Sequence, residues 1–280
     1  MIPSWHSVEL AAITGELMQV DIYGAESLQG AFCAHRRIIV IVPGATSKNF
    51  PPYASVYADL SEFLARRGFL CVTFAARGQT PTLGTWSHRN AEEDLPRVVC
   101  FLQEHDAGPD SIGLFGRSSG ANVALSYADR HPTGVGAVAV WGTCYRRFFE
   151  AFYSDLDHAR SALQDSGTIL VQQFALSEES FAEDLLPKIQ VPLFMGYGTK
   201  DTYSTLGEQV EAFSLVRTRS CTLSIIKDAI HAMDRHHPAF EYYAGTVAMW
   251  FESTLVKTDL GASTPYLRRR PPPRGSPGNS

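Results

Sequence analysis

Short apolar runs alternate with stretches of helical spacing along most of this chain. The continuous, largely β-branched run at residues 37–42 is typical of a strand buried on both faces, and residues 69–74 form a second buried strand. Between them, residues 53–67 carry apolar side chains at helical spacing. The pattern continues with a helix at 90–105, a strand at 112–115, a helix at 119–130 and a strand at 135–140. This order predicts a parallel sheet covered by helices on both faces.

The regions on either side extend the predicted sheet. Residues 7–23 have the pattern of a β-hairpin that turns at Thr14-Gly15, and residues 30–35 are a candidate for a further strand. Towards the C-terminus we predict strands at 191–196 and 221–226 and helices at 205–216 and 238–256.

One long stretch interrupts the alternation. From 143 to 188 the pattern is mostly helical, and about 45 residues without a strand are too many for an ordinary connection. We predict a helical insertion over the strand ends, called the cap below. The alternative is a pair of surface helices that packs away from any site. Residues 257–280 have too little apolar surface to fold, so we expect one domain over residues 1–256 and a disordered tail.

Composition and charge narrow the class of protein. The 280 residues are 45% hydrophobic and 11% aromatic, which fits one sizeable globular domain. The net charge of −5 provides no basic surplus for a nucleic-acid surface. No apolar run approaches the roughly 18 residues of a membrane span. The N-terminus lacks a basic region followed by an apolar core, so we expect no signal peptide.

Cysteine and histidine usage suggests a compartment and argues against a metal. The cysteines are odd in number and form no C-x-x-C pair, so we expect buried free thiols in a reducing cytoplasm. The nine histidines are scattered without a metal-binding motif, and we expect no metal site. The cysteines are Cys33, Cys71, Cys100, Cys144 and Cys221.

Residues 116–120, Gly-Arg-Ser-Ser-Gly, match the G-x-S-x-G pattern between a predicted strand and helix. A sharp strand-to-helix turn exposes the central Ser118 over the end of the sheet, and only glycine fits two positions away on either side. The N–H of Ser119 begins the helix and points at whatever Ser118 attacks, which makes it half of an oxyanion hole. The alternative is a plain helix N-terminus capped by Ser118 or Ser119.

A nucleophilic serine needs a base, and the base needs an orienting acid. His231 follows the predicted strand at 221–226, and Asp201 follows the one at 191–196. Because the carboxyl ends of parallel strands open on one edge of a sheet, both residues are expected near Ser118. Asp228 and Asp234, three residues before and after His231, are alternative acids.

Along the chain, the candidate nucleophile, acid and base occur in the order Ser118, Asp201, His231. With this order the chain resembles the α/β-hydrolase superfamily over about residues 7–254. Beyond the G-x-S-x-G turn, the resemblance is carried by Pro-Gly-Ala at 43–45, VPLFMGYGTKD at 191–201 and AIHAM at 229–233. It is greatest to small single-chain esterases, feruloyl-esterase-like enzymes and prolyl-oligopeptidase-type hydrolase domains, which carry a cap at the same point of the chain.

The resemblance implies an α/β-hydrolase fold, a mostly parallel central sheet with a small helical cap. It implies that Ser118 is the nucleophile, that His231 is the general base and then the general acid, and that Asp201 rather than a neighbouring aspartate orients the histidine. The backbone N–H groups of Ala45 and Ser119 would hold the oxyanion. No cofactor is implied.

Two segments depart from the superfamily pattern. The predicted oxyanion loop begins with Pro43-Gly44, where His-Gly is common, but only the backbone of the following residue is essential. Residues 75–80, AARGQT, replace a loop that often carries an aspartate.

The substrate is least defined. Aromatic residues at the start of the cap, including Phe148, Phe149 and Phe152, either line an apolar acyl pocket or pack the cap on the core. Arg117, beside the nucleophile, is a candidate for a polar substrate contact. Arg146 and Arg147 either contact a carboxylate or phosphate of the substrate or lie on a solvated face.

We therefore expect a serine hydrolase that cleaves a carboxylic ester, thioester or lactone of a small acyl substrate through an acyl-enzyme. An acyltransferase, lyase or epimerase acting on a biosynthetic intermediate is one alternative, and a non-catalytic binding protein is another. The superfamily's haloalkane dehalogenases and epoxide hydrolases use aspartate where this chain has Ser118, which argues against both.

Overall fold

The computed structural model describes residues 5–25, 37–45, 55–79, 81–147, 150 and 180–256. Within those ranges, eight strands form one sheet in the order β1-β2-β4-β3-β5-β6-β7-β8. The strands are β1 Trp5–Ala11, β2 Leu17–Tyr23, β3 Ile38–Val42, β4 Leu70–Phe74, β5 Ile112–Arg117, β6 Ala137–Trp141, β7 Leu193–Gly198 and β8 Cys221–Ile226.

The sheet is mostly parallel, as the alternation predicts. β1 and β2 form the antiparallel hairpin, which turns at Gly15 with φ of 97°, and β2 is antiparallel to β4. From β4 through β3 to β8 every neighbouring pair is parallel. The carboxyl ends of these six strands therefore open on one edge of the sheet, where a ligand is expected in such folds.

Helices cover both faces, and for that reason the inner strands β3 to β7 are buried over their whole length. Among the described residues, the helices with both ends defined are α1 Ser55–Arg66, α2 His88–Glu104, α3 Ser119–Arg130, α4 Ala182–Leu185, α5 Leu206–Ser214 and α6 Phe240–Thr254. Alternate residues of β3 show the division: Val40 packs in a cluster with side chains of α2 and α3, whereas Ile41 packs with side chains of α1 and α6. The chain thus has the predicted α/β architecture of a sheet between two helical layers.

α2 differs from the prediction in its start. The side chain of Ser87 caps the helix by accepting from the N–H of Asn90, so the helix begins at His88 rather than at 90. Pro96 lies inside this helix, where it cannot donate a backbone hydrogen bond.

The described parts of the cap lie at its two ends. Residues 182–188 form α4 and a 3₁₀ turn, and their apolar side chains join the core cluster that contains α3. The last segment of the predicted cap thus packs into a helical layer of the domain. Phe148, Phe149 and Phe152, the remainder of the cap at 151–179, the strand candidate at 30–35 and the tail at 257–280 lie outside the described residues.

The cysteines only partly follow the prediction. Cys71 and Cys144 are buried free thiols, but Cys100 is exposed and Cys221 is partly exposed. Cys100 is exposed because it lies on α2 next to the stripe of Val98 and Val99 that faces the sheet, not within it. Cys33 lies outside the described residues.

In the described part of the chain, no helix has both the length and the apolar character to cross a bilayer.

Candidate active site

The turn between β5 and α3 is strained, and the residue types in it follow from that strain. Ser118 has φ of 57° and ψ of −131°, and its N–H donates to the carbonyl of Trp141 over 3.0 Å. A Cβ at Gly116 would lie 2.4 Å from the carbonyl oxygen of Gly120. A Cβ at Gly120 would lie 2.3 Å from the carbonyl oxygen of Val42. The turn therefore has the geometry that the G-x-S-x-G spacing predicts.

The Ser118 side chain is not a helix cap. It makes no capping hydrogen bond to α3, contrary to the alternative interpretation of the motif. Its Oγ lies 3.6 Å from the Sγ of Cys144 and makes no hydrogen bond with His231. Serine–histidine contacts of this kind are often long before substrate binds. The hydroxyl is therefore available for chemistry rather than committed to the helix.

His231 and Asp201 form a close pair at the same edge. His231 Nδ1 lies 2.9 Å from Asp201 Oδ2, and the Asp201 side chain is fully buried. The other carboxylate oxygen, Oδ1, accepts from the N–H of Tyr203 over 2.9 Å. With Nδ1–H donated to the carboxylate, Nε2 is the acceptor of a neutral imidazole. This arrangement can accept a proton at Nε2 and stabilise the resulting cation.

The other two candidate acids have different partners. Asp228 is exposed and pairs with Lys200 over 3.1 Å. Asp234 Oδ1 accepts from the N–H of His236 over 2.9 Å. The structure therefore brings Asp201, and neither of these aspartates, onto the ring of His231.

The electrostatics favour a neutral histidine. Burial holds the pKa of His231 below its ordinary value, because a charged imidazolium is poorly solvated there. The Asp201 carboxylate opposes this shift in pKa, and the Arg117 guanidinium adds to it. A neutral ring at pH 7 is the protonation state that a general base requires.

The loops that carry the acid and the histidine are joined directly to each other. The N–H groups of Thr199 and Lys200 donate to the carbonyls of Ile226 and Ala229 over 3.0 and 2.9 Å. A Cβ at Gly198 would lie 2.0 Å from the Ala229 carbonyl oxygen. The separation of Asp201 and His231 is thus fixed by backbone contacts as well as by their own hydrogen bond.

Sequence reasoning missed two residues that touch this pair. Gly142 has φ of 59°, and a Cβ there would lie 2.7 Å from His231 Nδ1 and 3.1 Å from Asp201 Oδ2. The ring of Tyr203 packs on the imidazole with centroids 4.2 Å apart. A glycine directly after a buried strand was visible in the sequence as a signal of close approach, whereas the place of Tyr203 depends on the path of its loop.

The two predicted oxyanion donors are neighbours. The N–H of Ala45 donates to Ser119 Oγ over 2.7 Å. A Cβ at Gly44 would lie 2.6 Å from the carbonyl oxygen of Arg117, so the loop rests directly on the turn. The N–H of Ser119 finds no acceptor among the described residues. An oxyanion would have to exchange places with the Ser119 hydroxyl to reach the Ala45 N–H.

The arginines singled out from the sequence are engaged with protein groups. Arg117 is only 5% exposed, and its Nη2 donates to Tyr57 Oη over 2.7 Å. Arg146 pairs with Asp184 over 2.8 Å, and Arg147 pairs with Glu208 over 3.4 Å. Both exposed arginines therefore have a carboxylate of the chain itself as partner.

No protein-family model and no curated protein sequence matches this chain. Solved structures do match it. The Pyrococcus furiosus esterase Pf2001 aligns with a TM-score of 0.68 and 18% identity, over 91% of this chain and 92% of that one. The α/β hydrolase GrgF from Penicillium sp. sh18 aligns with a TM-score of 0.63 and 15% identity, over 90% and 99%.

A third match is the 2,6-dihydroxy-pseudo-oxynicotine hydrolase, with a TM-score of 0.67 and 20% identity, over 91% of this chain and 70% of that one. At these identities the likeness concerns the fold. The chain has the α/β-hydrolase fold, as its resemblance to that superfamily implies.

Proposed function

We propose that this protein is a serine hydrolase that cleaves a carboxylic ester through an acyl-enzyme. The observation that carries the proposal is the 2.9 Å contact between His231 Nδ1 and the buried carboxylate of Asp201. This pair lies at the sheet edge where the strained Ser118 turn presents its hydroxyl. A serine hydroxyl that does not cap its helix, at the same sheet edge as an oriented neutral histidine, supports nucleophilic catalysis.

In the proposed reaction, His231 Nε2 takes the proton of Ser118 as Oγ attacks the ester carbonyl carbon. The N–H groups of Ala45 and Ser119 donate to the oxyanion of the tetrahedral intermediate. When the intermediate collapses, the alkoxide leaves with the proton from His231, and the acyl group stays on Oγ. Water then attacks by the same route and releases the carboxylic acid.

Asp201 has two functions in this scheme. Its hydrogen bond selects the tautomer in which Nε2 faces the reaction, and its charge stabilises the imidazolium that forms after proton transfer. The second bond, from the Tyr203 N–H, holds the carboxylate in the plane that this requires. No cofactor takes part in any step.

The names of two matching structures, an esterase and a 2,6-dihydroxy-pseudo-oxynicotine hydrolase, support hydrolysis as the reaction class. A thioester or lactone would follow the same steps. The apolar acyl pocket at Phe148, Phe149 and Phe152 stays a prediction, as does a cytoplasmic location.

The test is hydrolysis of a panel of p-nitrophenyl esters by the wild type and matched variants. Ser118→Ala and Asp201→Asn should each lower kcat by about 10⁴-fold or more, and the double variant should be no worse than Ser118→Ala alone. Asp228→Asn is the control, because that exposed carboxylate pairs with Lys200 and should be dispensable. Full activity of Asp201→Asn together with an inactive Asp228→Asn would overturn the assignment of the acid.

Identification of the acyl product in the same reactions separates hydrolysis from acyl transfer. With an alcohol or amine acceptor added, a hydrolase should still release mainly the free acid. Predominant formation of the new ester or amide at low acceptor concentration would make the protein an acyltransferase.

A further inference from the structure

The Gly44 residue is hydrogen-bonded at both its backbone groups by buried side chains. Its N–H donates to Tyr57 Oη over 2.8 Å, and its carbonyl accepts from Gln79 Nε2 over 2.9 Å. Tyr57 belongs to α1 and Gln79 to the loop after β4, and each is 1% exposed. Gln79 is itself fixed, because its Oε1 accepts from the N–H of Ala76 over 3.1 Å.

These bonds determine where the Ala45 N–H points. The carbonyl of Gly44 and the N–H of Ala45 belong to one planar trans peptide unit, so they face opposite directions. Gln79 on the carbonyl side therefore directs the N–H to the other side, where it meets the Ser119 hydroxyl at 2.7 Å. Glycine has the most backbone freedom of any residue, so a direction set at Gly44 depends on such external bonds.

Tyr57 also connects this loop to the nucleophile turn. Its Oη accepts from Arg117 Nη2 over 2.7 Å, and the Arg117 guanidinium lies 4.8 Å from the centre of the ring. Arg117 has no carboxylate partner among the described residues, so this charge-assisted bond is its main polar contact. Arg117 immediately precedes Ser118, and one phenol oxygen thereby joins the two segments that supply the proposed oxyanion donors.

We propose that Tyr57 and Gln79 are positioning residues that fix the Gly44 peptide and aim the Ala45 N–H at the oxyanion, with Arg117 acting through Tyr57. The proposal rests on the serine-hydrolase function proposed above. It gives Arg117 a role in support of the loop in place of the substrate contact expected from the sequence. The clamp, defined as Tyr57 and Gln79 on Gly44, contributes mainly in the transition state, when the carbonyl oxygen gains charge.

The test removes each clamp bond with little change in volume. Tyr57→Phe deletes the acceptor for the Gly44 N–H, and Gln79→Met deletes the donor to its carbonyl. Complete loss of one oxyanion donor costs about 100- to 1,000-fold in rate, so a loosened donor should lower kcat by about 10- to 100-fold. KM should stay within about threefold, because the ground-state carbonyl makes weaker use of the donor.

A tetrahedral inhibitor gives a readout that a general loss of structure would not produce. Ser118 Oγ adds to the carbonyl carbon of a trifluoromethyl ketone, and the oxyanion that forms occupies the position of the oxyanion in the tetrahedral intermediate. Its Ki should rise in each clamp variant by the factor by which kcat/KM falls. Tyr127→Phe is the matched control: it removes a buried tyrosine hydroxyl from α3, outside the clamp, and should leave kcat and Ki unchanged.

Endpoint labelling with a fluorophosphonate counts competent sites and separates the outcomes. Unchanged kcat and ketone affinity in both variants would overturn the clamp while leaving the hydrolase proposal intact. Loss of labelling stoichiometry in both would also overturn it, because the side chains would then be needed for folding. A wild type that neither labels nor hydrolyses any ester would overturn the proposed function, and the clamp with it.

Discussion

Replacing Gly142 by alanine should disable the site through a single methyl group. The Cβ would lie 2.7 Å from His231 Nδ1, whereas ordinary contacts begin near 3.4 Å. The ring would have to retreat by roughly 0.7 Å, and a misplacement of about 1 Å can cost about 100-fold in rate. The same Cβ would also lie 3.1 Å from Asp201 Oδ2, so the imidazole cannot relieve the overlap by moving towards that carboxylate.

Backbone strain adds a smaller, separable effect on stability. Gly142 has φ of 59°, where alanine costs about 1–2 kcal/mol. For a domain of this size that free energy lowers Tm by about 2–8 °C. Gly68→Ala is the matched control, since Gly68 has φ of 89° and no atom within 4 Å of its added Cβ. It should lower Tm to a similar degree and leave the rate unchanged.

The assay measures kcat/KM on a p-nitrophenyl ester and Tm by thermal unfolding for both variants. We expect about a 100-fold loss of kcat/KM in Gly142→Ala and none in Gly68→Ala. If Gly142→Ala kept kcat/KM within about threefold of the wild type, the reaction would not depend on His231 at the position described.

Three further predictions concern the proton, the oxyanion and the substrate. Because burial lowers the pKa of His231 from 6.5, kcat/KM should rise with pH to a plateau whose half-maximum lies below 6.5, and a midpoint above 6.5 would contradict the neutral base. Ser119→Ala should change kcat by no more than about threefold, because the donated N–H is retained and Ala45 only loses a competitor; a loss near 100-fold would mean that the hydroxyl itself donates. Replacing Phe148 and Phe149 together by alanine should raise KM for apolar acyl esters, and an unchanged KM would refute the apolar pocket.

The sequence was sufficient for the fold because its signals are local. β3 is buried over its whole length, and the apolar run at 37–42 predicts this burial from its own residues alone. The turn at Ser118 is local in part: a side chain at Gly116 is excluded by Gly120 of the same turn, whereas a side chain at Gly120 is excluded by the end of β3. The parallel order then follows from the alternation of strands and helices.

Contacts between segments that are far apart in the sequence could not be predicted from such local signals. The Tyr57 hydroxyl meets the Gly44 N–H because α1 packs its buried face at the end of β3, and no spacing rule links those positions. The hydrogen bond between Arg117 and Tyr57 likewise depends on where α1 packs, and a substrate contact for Arg117 stays a prediction. The start of α2 was predicted two residues late because the cap at Ser87, which precedes the first helical residue, was not identified.

The most direct test of the central claim is covalent labelling of Ser118. The purified protein is treated with a fluorophosphonate beside Ser118→Ala, and the intact masses are read. Activation of Ser118 as the nucleophile predicts one adduct on the wild type, mapped to the peptide that contains Ser118, and none on the variant. A well-folded wild type that gains no mass, or a variant that gains the same mass, would contradict it.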